Sequence, residues 1–190
     1  MGIFVQYEEL KSLSPKNALA TLVRSRKTTT LSDLKIYDLI YDGERAVEKG
    51  CGVYLFFSQD NRCLLVGKNS ASSFVERIPW HFSLKNDAWM NFLVKRTRER
   101  GNLNANSEAA NALGGCRLLL IEVDRTSEPP ETIEALEKCL RIFAAPTLNA
   151  YKKDTYQQEY SSALQKGTFQ EAVQEVWRIH RQIYPKKKKS

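Results

Sequence analysis

The chain of 190 residues is poor in several things, and each scarcity excludes something. Histidine appears only as His81 and His180, so a histidine-cluster metal site is excluded by count. The four cysteines, Cys51, Cys63, Cys116 and Cys139, contain no CxxC pair, which together with two histidines rules out zinc-finger spacing. Set singly among apolar neighbours or at element edges, they read as reduced core thiols of a reducing compartment. No apolar run approaches the roughly 18 residues of a membrane span. The start, MGIFVQYEELKSLS, lacks the charged opening and apolar stretch of a secretory signal. Gln6 stands where a myristoylation signal wants Ser or Thr. The expectation is an intracellular, cytoplasmic protein with no membrane partner.

What is present suits one core with appendages: 42% of residues are apolar, and a chain of this length buries roughly 70% of its unfolded surface without disulfides or structural metal. Net charge is +7, of which the run Lys186–Lys189 supplies four. Other basic residues cluster, with Arg24, Arg26 and Lys27 together and Lys95, Arg96, Arg98 and Arg100 in a denser block. Such clusters suit a polyanion such as DNA; on charge alone a solvated helix face explains them equally well.

Along the chain, Ser14-Pro15 has the form of a helix start. A second helix is expected where Leu31, Leu34, Tyr37, Ile40 and Tyr41 supply an apolar stripe running toward Gly43 or Gly50. The period then changes. Gly52–Phe57 and Cys63–Val66 are apolar runs around a polar turn, a β-hairpin. Ser72 or Ser73 caps a short helix through Phe74, Val75 and Ile78, disturbed by Pro79. A longer helix is expected over 87–100, with Trp89, Met90, Phe92 and Leu93 turned inward and the basic block at its end. A short helix at 108–113, a strong strand at 116–123 bounded by Gly-Gly and Asp, and a helix at 132–143 stopped by Pro146 follow. A last helix spans 169–183, with Phe169, Val173, Val176, Trp177 and Ile179 as its apolar positions. The order predicts an α+β fold: a small antiparallel or mixed three-stranded sheet flanked by helices.

Four features of the middle segment belong together. The hairpin carries Tyr54 on one strand and Lys68 just beyond the other. The next helix carries Arg77, with His81 at its end. The helix after the strong strand carries Glu137, and its closing loop holds Pro146 and Asn149.

In these pieces the sequence resembles the GIY-YIG nuclease family. Gly52-Val53-Tyr54 matches the first motif, and Leu65-Val66-Gly67 followed by Lys68 matches the second. Arg77 with His81 four residues later matches the helix motif, and ALEKCLRIFAAPTLN, with Glu137 and Asn149, matches the closing signature. The departure is Leu65, where the family's second motif opens with tyrosine. The resemblance covers about 51–151. It implies a nuclease core there with a helical insertion at 82–115, a helical extension at 1–50, and a carboxyl-terminal helix with a basic tail at 152–190.

The resemblance further implies a metal-dependent endonuclease hydrolysing phosphodiester bonds of DNA. Glu137 would hold one divalent cation, Mg2+ or Mn2+, per active site. Arg77 would clamp a phosphate oxygen. Tyr54 would position or deprotonate the attacking water, its hydroxyl pKa lowered by the cation Lys68. His81 would share the proton transfer, Pro79 standing between it and Arg77 on an otherwise shared helical face. Asn149 would tie the end of the Glu137 helix. The short flanks fit a free-standing restriction or defence nuclease that binds DNA through its basic clusters, and a double-strand cut would need a homodimer or two successive nicks. The alternative is a catalytically silent nucleic-acid-binding protein of the same fold, to which Leu65 and Pro79 point.

Overall fold

The computed structural model describes residues 2–47, 50–85, 92–148 and 160–185. Ile3, Phe4, Val5, Tyr7 and Leu10 are all at most 2% exposed. The chain accordingly opens with a strand, β1 (Phe4–Gln6), that runs straight into a short helix, α1 (Tyr7–Lys11). Helix α2 (Pro15–Arg24) follows, with the Ser14 side chain accepting from the Asn17 N–H and Pro15 in the first turn, as its sequence reads.

The stripe from Leu31 to Tyr41 does not make a helix. Thr29–Thr30 form strand β2, and the Leu31 and Ser32 N–H groups donate to the carbonyls of Cys116 and Gly114. Only one 3₁₀ turn, Ile36–Leu39, remains, followed by a two-stranded ribbon of β3 (Tyr41–Asp42) and β4 (Arg45–Ala46). Of the expected stripe only Tyr37 is exposed, at 59%, while Leu31 and Leu34 pack partly buried against the core. Pairing with a distant strand overrides a weak helical pattern.

The hairpin is β5 (Gly52–Phe57) and β6 (Cys63–Asn69), the second strand extending past Val66 through Gly67 and Lys68. Helix α3 (Phe74–Arg77) is closed at its start by Ser73 and Glu76 bonding reciprocally to each other's backbone. Pro79, unable to donate, ends the α geometry, and the chain continues as a 3₁₀ helix, Ile78–Phe82. Helices α4 (Phe92–Gly101) and α5 (Asn106–Ala112) lead to strand β7 (Arg117–Glu122). Trp89 and Met90, expected in the first turns of the helix at 87–100, lie outside the described residues; Leu93 is buried. Helix α6 (Thr132–Ala144) ends where Ala145 takes a left-handed conformation and Pro146 follows. A short α7 (Ser161–Leu164) precedes α8 (Phe169–Ile183), which is capped by Thr168 and Glu171.

The sheet has five strands rather than three. Its order is β1-β7-β5-β6, with β2 on the same edge of β7 as β1. Strand β1 runs parallel to β7, while β5 is antiparallel to both β6 and β7. The amino-terminal segment expected as a helical extension thus contributes two strands of the central sheet.

Strands β5 and β7 are apolar at successive positions because both sheet faces are covered. Val53, Leu55, Leu119 and Ile121 face a core completed by α2, α6 and α8. Tyr54, Phe56, Leu118 and Leu120 face the opposite core, with α3, α4 and α5. All four cysteines are buried and none is in a disulfide; burial holds the Cys63 thiol at about 12 and raises those of Cys116 and Cys139. No helix among the described residues is long and apolar enough to cross a membrane.

Candidate active site

Strand β6 is an edge of the sheet, where the two helical layers can meet around the strand. Beyond α6 the chain comes back along it, the Thr147 and Leu148 N–H groups donating to the Cys63 and Leu64 carbonyls. Farther along the same strand, Leu65 to Lys68 form the floor of a pocket of about 440 Å³. Tyr54, Arg77 and His81 reach it from one layer, and Glu137 from α6 reaches it from the other.

Tyr54 is the hub. Its ring lies across the sheet register from Gly67, and a Cβ on residue 67 would overlap the phenol Cζ and Oη. Only glycine allows that approach. The Tyr54 hydroxyl is 2.8 Å from His81 Nε2, and Arg77 Nε donates to the same oxygen at 3.3 Å. Burial, followed by the adjacent Arg77 cation, pushes the His81 pKa down to about 3, so the imidazole is neutral at pH 7. Tyr54 Oη accepts from Arg77 and shares a second hydrogen bond with His81 Nε2 whose direction follows the imidazole tautomer. The break at Pro79 does not separate the pair: α3 and the 3₁₀ helix together deliver both side chains to Tyr54.

The Tyr54 hydroxyl is not lowered in pKa. Burial raises it, Arg77 opposes through charge and hydrogen bonding, and Glu137 adds to the rise. The cation expected to act on it, Lys68, instead places its Nζ 2.7 Å from Glu134 Oε1. Alternation along the strand explains this. Gly67 is the partner of Tyr54, whereas Lys68 pairs with Val53 and so projects toward α6.

Helix α6 presents one polar face to the pocket. Glu134, Glu137, Lys138 and Arg141 follow helical spacing, opposite the buried Ile133, Leu136 and Leu140. Glu137 and Arg141 are largely buried, at 14% and 10% side-chain exposure, with 3.5 Å between their charged atoms. Helix α8 adds Trp177 and His180. Four basic side chains, Lys68, Arg77, Lys138 and Arg141, outnumber two carboxylates, so the pocket favours an anion.

Five of the six expected catalytic residues therefore share one pocket, and Asn149 lies outside the described residues. Glu134, Lys138, Arg141, Trp177 and His180 were not anticipated there, although the polar stripe of α6 and the three-residue step from Trp177 to His180 are helical signals.

The basic clusters do not line this pocket. Arg24, Arg26 and Lys27 border a separate hollow of about 560 Å³, with Lys27 held 2.9 Å from Glu9. Lys95, Arg96, Arg98 and Arg100 lie on α4, Arg96 paired to Glu99 at 3.1 Å. The run Lys186–Lys189 lies outside the described residues.

Among the described residues no three His, Cys, Asp or Glu side chains gather as a metal cage. The donors do fit a magnesium ion held by the one carboxylate of Glu137, since Mg2+ commonly keeps several waters and takes phosphate oxygens as its other ligands. Protein-family models, curated proteins and solved structures contain no significant match to the chain.

Proposed function

We propose that the protein is a metal-dependent endonuclease of the GIY-YIG type acting on DNA. The observation that carries this reading is the meeting of Tyr54, Lys68, Arg77, His81 and Glu137, far apart in sequence, around one cationic pocket at a sheet edge. Residues serving only as surface charge or core filler have no need to converge.

Arg77 binds a non-bridging oxygen of the scissile phosphate while its Nε holds the Tyr54 hydroxyl in place. Tyr54, kept protonated by burial, acts as a relay rather than as a standing phenolate. Its oxygen takes a proton from the attacking water as its own proton passes to His81 Nε2, leaving a neutral tyrosine and an imidazolium. The phosphate offsets the Arg77 charge, which after burial is the second cause of the low His81 pKa. Lys138 and Arg141 add positive potential for the substrate backbone. Glu137 would hold the Mg2+ or Mn2+ ion, which when bound supplies Lewis-acid stabilisation of the leaving oxygen.

A second reading, a nucleic-acid-binding protein without catalysis, is favoured by Leu65. This side chain is 3% exposed and lines the pocket where the family pattern would put a tyrosine hydroxyl. One experiment separates the two readings. Supercoiled plasmid and single-stranded DNA are incubated with the protein and Mg2+, in parallel with chelator and with Glu137→Ala. The nuclease reading expects nicking or linearisation that chelator abolishes and Glu137→Ala reduces by at least on the order of 10²–10³. Salt-sensitive binding without cleavage, unchanged in Glu137→Ala, would overturn it and leave the binding protein.

A further inference from the structure

The pocket has a wall that the phosphodiester chemistry above does not use. Helix α8, outside the segment that carries the nuclease motifs, brings Trp177 and His180 to the pocket one turn apart. Their rings are nearly parallel, with centroids 5.6 Å apart and planes 24° apart. His180 continues to Tyr184, at 5.0 Å and 43°, and Tyr184 is 50% exposed. Of the three rings, Trp177 and His180 line the pocket and Tyr184 reaches the molecular surface. The Trp177 indole N–H is buried and has no hydrogen-bond acceptor among the described residues.

We propose that Trp177, His180 and Tyr184 form a nucleobase-stacking wall, so that the site takes a nucleotide whose base has left the duplex stack. The argument rests on the nuclease reading and deepens it to a substrate class: single-stranded, mismatched or end-frayed DNA. Four cations beside a planar aromatic row match the two halves of a nucleotide, an anionic phosphate and a flat base. In an intact duplex both faces of an internal base are covered by its neighbours. Stacking on Trp177 therefore demands an unstacked base, and it tolerates any sequence because every base has a π face.

The test measures binding of labelled oligonucleotides by fluorescence anisotropy, with chelator present to prevent cleavage. The full chain is titrated with a short oligothymidylate and with an abasic strand of the same length and phosphate number. Wild-type protein is expected to bind the base-bearing strand about 5- to 100-fold more tightly than the abasic one. Trp177→Ala is expected to bring that ratio close to one by weakening oligothymidylate binding alone, and Trp177→Phe to restore most of it. Should Trp177→Ala not fold, the variant combining His180→Ala and Tyr184→Ala reads the same ratio from the outer end of the row. Equal binding of both strands by wild type overturns the stacking wall and leaves the phosphate-binding pocket standing. A ratio unchanged in all variants also overturns it. Failure to bind either strand overturns the wall and the nuclease reading together.

Discussion

At the scale of single residues, the candidate site is built on a hydroxyl and an imidazole that burial keeps neutral. His81 is 1% exposed, with its pKa at about 3 from burial first and Arg77 second. An unfolded histidine titrates near ~6.5. Between these values the unfolded chain binds more protons than the folded one, so this stability is complete above about pH 6.5 and is lost as pH falls toward 3. The slope for one proton is at most about 1.4 kcal/mol per pH unit. Denaturant unfolding at about pH 7.5 and about pH 5 should show wild type losing about 2 kcal/mol more than His81→Asn. Parallel losses in the two proteins would remove the buried neutral histidine from the account. The sequence motifs named Tyr54, Arg77, His81 and Glu137, because their residue types recur at recognisable intervals. They did not reveal what Lys68 does. Strand residues one step apart face opposite ways, and the residue opposite Tyr54 is the glycine before the lysine.

At the scale of elements, the strongest patterns survived. The β5–β6 hairpin, the β7 strand, α6 and α8 were legible because each is a long run of one period, bounded by Gly, Pro or a capping residue. The stripe from Leu31 to Tyr41 misled, since Thr29 and Thr30 pair with β7 and the Leu31 and Ser32 N–H groups are taken by the Cys116 and Gly114 carbonyls. Strand β1 escaped notice because a three-residue strand has too little alternation to see. The hairpin register itself is testable at Gly67. A methyl group there collides with the Tyr54 ring, which neighbours on both sides hold in place. Gly67→Ala should cost roughly 1–3 kcal/mol of stability, the usual penalty for overpacking a filled core. On the proposed nuclease reading it should also weaken nicking by displacing the Tyr54 hydroxyl. A variant with the wild-type denaturation midpoint would refute the register that lays Tyr54 over Gly67.

At the scale of the whole molecule, the motif-bearing segment 51–151 does not account for its own core. The sheet continues past β7 into β1 and β2, and the face beneath α6 is closed by α2 and α8 from the two flanks. In sequence these flanks looked like additions because they carry no motif, yet motif density measures chemistry, whereas packing is shared by residues of any apolar type. Ile3, Phe4, Val5, Tyr7 and Leu10 are almost wholly inaccessible. At roughly 1.5–3 kcal/mol for each buried large side chain, these five contribute on the order of 10 kcal/mol as an upper estimate. A typical domain is stable by only about 5–15 kcal/mol in total. Removal of residues 1–12 alone should therefore abolish cooperative unfolding, and the isolated segment 51–151 should behave as an expanded, dye-binding chain. Circular dichroism melts and hydrophobic-dye fluorescence read this directly. A fragment 51–151 with a sharp melt and magnesium-dependent nicking would show the core to be self-sufficient. Loss of both, with the full chain folded and active, would mean that the flanks support the pocket by completing the layers on either side of β6.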